Sequence, residues 1–191
     1  MNDVTRTIRE RRSIRRYRQD PIPEADLTML LEAVRWSPSW ANTQCWDVVV
    51  VCEEALKRRL QAAVGSNPAF DAMVDAPVVL VLCGRKDRAG FKKGEAATRY
   101  GDWMMYDLGL ANQSLCLAAH ALGLGTVIVG KFDHAAAERI LGVPETHAVV
   151  TMVPVGYPAQ PAAAPPRKAL REFVHEGAFG TPWGMQTGPQ G

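Results

Sequence analysis

The stretch DWMMYDLGLANQSLCLAAHALGL, residues 102–124, constrains the fold of this chain more than any other. Its periodicity predicts one long helix from Asp102 to Leu124. A helix covered by a sheet on one side carries a single apolar stripe. Here Trp103, Met104, Leu108, Ala111, Leu115, Ala118 and Leu122 share one side, while Met105, Leu110, Leu117 and Ala119 are spread over the remainder. Either the chain's own neighbouring elements wrap this helix completely, or a second copy covers the free side. In a chain of 191 residues the second copy is the expectation, and with it a homodimer. Asp107, Asn112, Gln113, His120 and several glycines interrupt the run, which argues against a membrane span.

Helices and strands interleave around that segment. DVTRTIRERR reads as a short helix with Val4 and Ile8 on one face, and PIPEADLTMLLEAV as a helix opened by proline and acids, with Leu27, Leu30, Leu31 and Val34 at helical spacing. EEALKRRLQAAV, closed by Gly65, and DHAAAERIL, closed by Gly142, are two more helices. DVVVVC, APVVLVLC, GTVIVG and AVVTMVPVGYP read as strands. SPSWANTQCW, residues 37–46, is a loop, and the glycine-rich, charged segment 84–101 is a surface loop or lid. PAQPAAAPPRK is an extended linker. This order predicts an α+β fold in a single domain spanning 1–191, with 177–191 an extended or flexible tail. No glycine fingerprint of the G-x-G-x-x-G or G-x-x-x-x-G-K type follows a strand, so a Rossmann-bound dinucleotide or a nucleoside triphosphate is not expected.

The formal charge is only +2, yet residues 6–18 hold seven arginines against the single acid Glu10. A guanidinium keeps its charge at any working pH and presents a planar fork of donors, which suits a permanently held phosphate. Ser13 adds a neutral donor. The plain alternative is a solvated basic helix face. A nucleic-acid interface is a further alternative, but it calls for aromatic platforms or a broad basic surface, and Tyr17 alone is thin support. His120, His134, His147 and His175 lack metal-pair spacing, so no metal site is expected. Ser13, Ser37 and Ser39 lack a nucleophile elbow, which excludes the usual serine-hydrolase arrangement. Asp102 and Asp107 read as caps or interface polar groups rather than a catalytic dyad. Trp40, Trp46, Trp103 and Phe132 could line a flat aromatic pocket. The four cysteines show no CxxC spacing, and the N-terminus has no apolar signal region. A reduced, cytoplasmic protein is the expectation.

Taken in order, RRSIRRYRQDPI, SPSWANTQCW, LAAHALGLGTVIVGKFD, VPVGYP and PPRKALREFV resemble the nitroreductase family over residues 6–176. The resemblance implies a central mixed β-sheet flanked by helices and an intertwined homodimer. It also implies one FMN at each of two interface sites, with no side chain needed as a catalytic acid or base. Carried over by motif, Arg11 and Ser13 would hold the FMN phosphate with Arg12 beside them, and Arg15 would stand near the flavin N1 and O2. Arg167 would close on the phosphate, with Lys168 its neighbour. Pro38, Ser39, Trp40, Asn42 and Gln44 belong to the loop that the partner chain lays against the ring. Ile128, Val129 and Gly130 would face the ring near N5, and Asn67 lies where some members use an amide side chain.

The activity so implied is reduction of a nitroaromatic, quinone or similar small-molecule acceptor at the expense of NADH or NADPH, by a ping-pong hydride transfer. Flavin destruction or reductive dehalogenation on the same fold is the alternative outcome. One departure is Cys45, where the family motif usually has proline between Gln44 and Trp46; a buried, inert thiol is the expectation there.

Overall fold

The computed structural model describes residues 2–184. Its centre is a four-stranded sheet in the order β1-β2-β6-β5, formed by Trp46–Val51 (β1), Val78–Arg85 (β2), Gly125–Thr126 (β5) and His147–Gly156 (β6). Every ladder between these strands is antiparallel. A parallel component enters at the edge, where Ser13 bridges Thr126.

Strands β2 and β6 are buried on both faces, which is why both read as continuous apolar runs rather than as alternating ones. Successive side chains of β2 still divide by parity. Val79, Val81 and Cys83 join a core with Leu60, Met73 and Ala137, whereas Val78, Leu80 and Leu82 join Leu30, Val34, Leu108, Ala111 and Leu115. The first core is covered by Glu54–Val64 (α3), Ala72–Asp75 (α4) and His134–Leu141 (α6), and the second by Glu24–Arg35 (α2) and Met104–Ala121 (α5). A register shift between Leu82 and Cys83 flips the parity of β6, so that Val149 and Met152 both face the first core.

The long helix is shorter than its sequence period suggests, running Met104–Ala121 and closing at Gly123, whose φ is +75°. The expected strand 125–130 is reduced to Gly125–Thr126 plus a bridge from Val129 to Met152. Thr126 pairs Val155 and Val129 faces Met152, so the antiparallel register is kept; residues 127 and 128 simply make no ladder bonds of their own. Segment 84–101 carries a small hairpin, Phe91–Lys92 (β3) with Glu95–Ala96 (β4), tied down at its base. There Trp103 N–H donates to the Ala89 carbonyl, and a Cβ on Gly90 would lie 2.5 Å from the Trp103 ring. Helix Asp3–Glu10 (α1) buries none of its residues; Val4 and Ile8 are exposed.

Residues 161–169 are exposed and without regular structure. Within the expected tail, residues 177–184 turn back so that His175 bridges Pro182 and Trp183 N–H reaches the Val174 carbonyl. Residues 185–191 lie outside the described residues. Among the described residues, no helix is long and apolar enough to cross a membrane.

Candidate cofactor site

The seven N-terminal arginines divide by what the fold offers each one. Arg6 pairs with Asp3, Arg16 with Asp71 and Asp75, and Arg18 with Asp20 while it also covers the Tyr157 ring. Arg9 is engaged within the chain as well. Arg12 donates from Nη1 to the carbonyls of Arg9 and Arg11, at 2.6 and 2.8 Å. The Arg11 and Arg15 side chains make neither a hydrogen bond nor an ion pair among the described residues. Arg11 is half-buried, Arg15 exposed.

Both stand on a segment that is fixed in place. Ile14 N–H donates to the Thr126 carbonyl at 2.9 Å, Ser13 bridges Thr126, and the buried Tyr17 hydroxyl donates at 2.6 Å to the Ile14 carbonyl. Gly125 makes that approach possible: a Cβ there would fall 2.6 Å from Ile14 Cγ1. Residues 11–15 therefore run beside 126–130, two segments far apart in sequence. Of the latter, Val129 is buried by its bridge to Met152, while Ile128 and Gly130 face outward. Asn67 joins the same edge, its Nδ2 donating to the Lys131 carbonyl at 3.1 Å. Beside them a cavity of about 260 Å³ is lined by Arg11, Arg12, Glu10, His120 and the backbone of residues 123–126.

The loop after α2 forms a second, separate group. Ala41, Asn42 and Gln44 all have positive φ, at 43°, 55° and 46°, a conformation that non-glycine residues adopt at a cost. Ser39 Oγ accepts from Gln44 N–H at 3.0 Å, and the Gln44 side-chain amide donates to Asn42 Oδ1 at 3.2 Å. The buried carboxylate of Asp107, in the first turn of α5, accepts from Trp40 N–H at 3.0 and 3.1 Å and from the Cys45 thiol at 3.6 Å. Burial first, and the Asp107 charge second, push the Cys45 thiol up to about 12. Trp40 and Trp103 pack with ring centroids 5.1 Å apart. Of the four aromatics expected to share a pocket, these two meet; Phe132 stacks instead on His134, and Trp46 packs into the core.

Residues 8–70 and 66–157 match the sequence profile of the nitroreductase family. The chain belongs to the nitroreductase family. A "NADH dehydrogenase" of Thermus thermophilus is 33% identical over 90% of this chain and 95% of its own length. The "FMN reductase [NAD(P)H]" of Bacillus subtilis is 29% identical over 94% of this chain and 75% of its own. A "5,6-dimethylbenzimidazole synthase" of Rhodobacter capsulatus is 29% identical over 81% and 83%. Among solved structures, that of NfrA2 from B. megaterium superposes with a TM-score of 0.83 at 25% identity, covering 94% of this chain and 76% of that one.

Within one nitroreductase-family protomer the residues expected at the site fall into two sets that do not meet. The loop residues Pro38, Ser39, Trp40, Asn42 and Gln44 are held at Asp107, while the cavity beside Arg11, Arg12 and Ser13 is lined by His120, thirteen residues further along α5. At 1.5 Å per residue those anchors are about 20 Å apart along the helix. Arg167 and Lys168 lie on the exposed segment 161–169, and their side chains make no hydrogen bond or ion pair among the described residues.

His120 and Thr126 were not expected near the arginines; nothing in their sequence neighbourhood marks them, since a tertiary crossing puts them there. Asp107 did carry a signal, an ionisable residue on the apolar side of a helix. Among the described residues, no group of three or more His, Cys, Asp or Glu side chains is placed to hold a metal ion.

Proposed function

We propose that this protein is an FMN-dependent oxidoreductase that uses NADH or NADPH to reduce a small acceptor such as a nitroaromatic or quinone. The observation that carries the proposal is the state of Arg11 and Arg15. Of seven clustered arginines these two alone have side chains without a hydrogen bond or ion pair among the described residues, beside the segment 126–130, whose Ile128 and Gly130 face outward. An anion with a flat apolar extension fits that edge. Ser13 and Arg11 offer donors for a phosphate, and a Cβ on Gly130 would meet nothing within 4 Å, so the backbone there is open to a ring. Arg12, whose Nη1 is committed to carbonyl oxygens, is the weaker donor. The relative named for FMN and NAD(P)H supports the same reading.

When bound, FMN supplies two-electron chemistry, taking a hydride from the nicotinamide and delivering it to the acceptor. The chain's part is to bind and to tune. Arg11 and Ser13 hold the phosphate, and Arg15 places a fixed positive charge where the reduced ring becomes negative, which favours reduction.

The loop 38–44 would complete the site from a second protomer, because its own copy stands at the other end of α5. The homodimer is therefore part of the proposal. Helix α5 leaves Met105, Tyr106, Gly109, Gln113 and Ala121 exposed, a surface that a second α5 would cover. Arg167 and Lys168, on an unanchored segment, would reach the phosphate only in that assembly.

An absorbance spectrum of the purified protein, followed by a stopped-flow half-reaction with each nicotinamide, tests the reading. Flavin bands that bleach on mixing with NADH or NADPH and return with a quinone are expected, with ping-pong steady-state kinetics. A protein that stays colourless after incubation with FMN would refute it. The benzimidazole-synthase relative favours a second reading in which the flavin itself is consumed. Intact FMN after many turnovers of NAD(P)H would exclude that reading.

A further inference from the structure

We propose that Asp107 is a positioning residue, a buried carboxylate at the start of α5 that sets the conformation of residues 39–44 through the Trp40 amide. The inference rests on the flavin reading above, in which this loop lies against the ring.

Asp107 is 1% exposed and sits among Leu108, Ala111 and Leu115 on the core side of the helix. No Lys, Arg or His pairs with it among the described residues. A carboxylate in such a place is costly unless its oxygens are satisfied, and an aliphatic side chain would serve the packing better. What satisfies it is the loop. Trp40 N–H points at both oxygens, at 3.0 and 3.1 Å, and the Cys45 thiol at one of them. The remaining compensation comes from α5, whose first turn favours negative charge.

The loop needs such an anchor. Three non-glycine residues within four positions hold positive φ, and the segment contains no glycine to make that inexpensive. Its internal bonds, Gln44 N–H to Ser39 Oγ and the Gln44 amide to Asn42, lie on the exposed side. It is tied to the rigid body at Trp40, by the amide on Asp107 and by the ring, which packs on Trp103 and the second core. Removing the carboxylate takes away the polar part of that anchor, and the strained residues are freer to relax. Because Asp107 belongs to α5, the same side chain fixes the loop relative to the helix proposed to pair with the second protomer.

The test compares FMN-loaded wild-type protein with Asp107→Asn and Asp107→Ala, using NADH and p-benzoquinone. Asp107→Ala should raise the quinone KM by on the order of tenfold or more, as expected for loss of a charged hydrogen bond, with a smaller change in kcat and a shifted flavin absorption band. Asp107→Asn keeps an oxygen able to accept from Trp40 N–H and should recover most of the loss. The proposal is overturned if both variants stay within about twofold of wild type with unchanged spectra, or if Asn is as damaging as Ala.

Should Asp107→Ala fail to fold, hydrogen exchange at the Trp40 amide decides. Protection of that amide at least about tenfold above the unprotected rate in the wild-type protein, largely kept in Asp107→Asn, supports the role, while absent protection in the wild-type protein or its complete loss in Asp107→Asn overturns it. A wild-type protein that binds no FMN would end the flavin reading, and the same amide measurement would still decide the positioning role.

Discussion

Arg11, Arg15 and Arg16 lie within six residues and carry the same charge, yet the fold gives them different work. Arg16 is held by Asp71 and Asp75, while the Arg11 and Arg15 side chains have no ion-pair partner among the described residues and are the two proposed to meet the flavin. Arg11→Ala should weaken FMN retention by about 1.5–3 kcal/mol, the scale of a charged hydrogen bond, measurable by equilibrium dialysis. Arg16→Ala should leave FMN affinity unchanged, because its partners are acids on the surface. Arg15→Ala should lower the flavin reduction potential in spectroelectrochemical titration, and Arg15→Lys should retain most of it; equal potentials in all three proteins would remove Arg15 from the ring.

The buried thiols make a separate prediction about pH. Burial raises Cys45 to about 12 and Cys83 to about 11, and pushes Cys116 and Tyr17 up as well. Folded protein then holds protons that the unfolded chain releases from about pH 9, so stability falls as pH rises from 9 toward 12. Lys57 opposes this, since burial lowers it and stability from that group rises with pH up to its ordinary value of 10.5. Four groups against one should give a net loss. The thermal midpoint is expected to drop over this range, and Cys83→Ala should flatten the slope.

Among the elements, the short strand β5 and the N-terminal segment depend on each other. Gly125 admits Ile14, and the Ser13–Thr126 bridge follows from that contact. Gly125→Ala would press a methyl group into Ile14, so a loss of about 1–3 kcal/mol is expected in chemical denaturation, together with weaker FMN binding. Helix α5 carries a glycine with the opposite property. A Cβ at Gly109 would meet nothing in its own protomer, and a mid-helix glycine costs about 1 kcal/mol relative to alanine. Gly109→Glu should therefore leave the protomer folded while blocking close approach of a second helix. Sedimentation should then show a monomer that has lost its flavin; a dimeric variant with full flavin content would show that α5 is not the contact.

For the whole molecule, the proposed flavin site, completed by a second protomer, would make flavin binding and dimerisation one linked equilibrium. Dilution that dissociates the dimer should release FMN, and added FMN should shift the sedimentation profile back toward the dimer.

The sequence by itself determined most of the elements and their order, because the apolar periods of 3.6 and 2 and the flanking glycines and prolines are local properties of the chain. It also marked the arginine cluster, since charge is visible without a fold. The short extent of β5, the turn of residues 177–184 and the burial of Asp107 behind the loop were decided only by tertiary structure. So was the choice of which two arginines remain available. Each depends on which segments cross in space. A guanidinium is bound or free according to whether an acid such as Asp71, fifty-five residues away from Arg16, is folded against it. No local pattern encodes that distance.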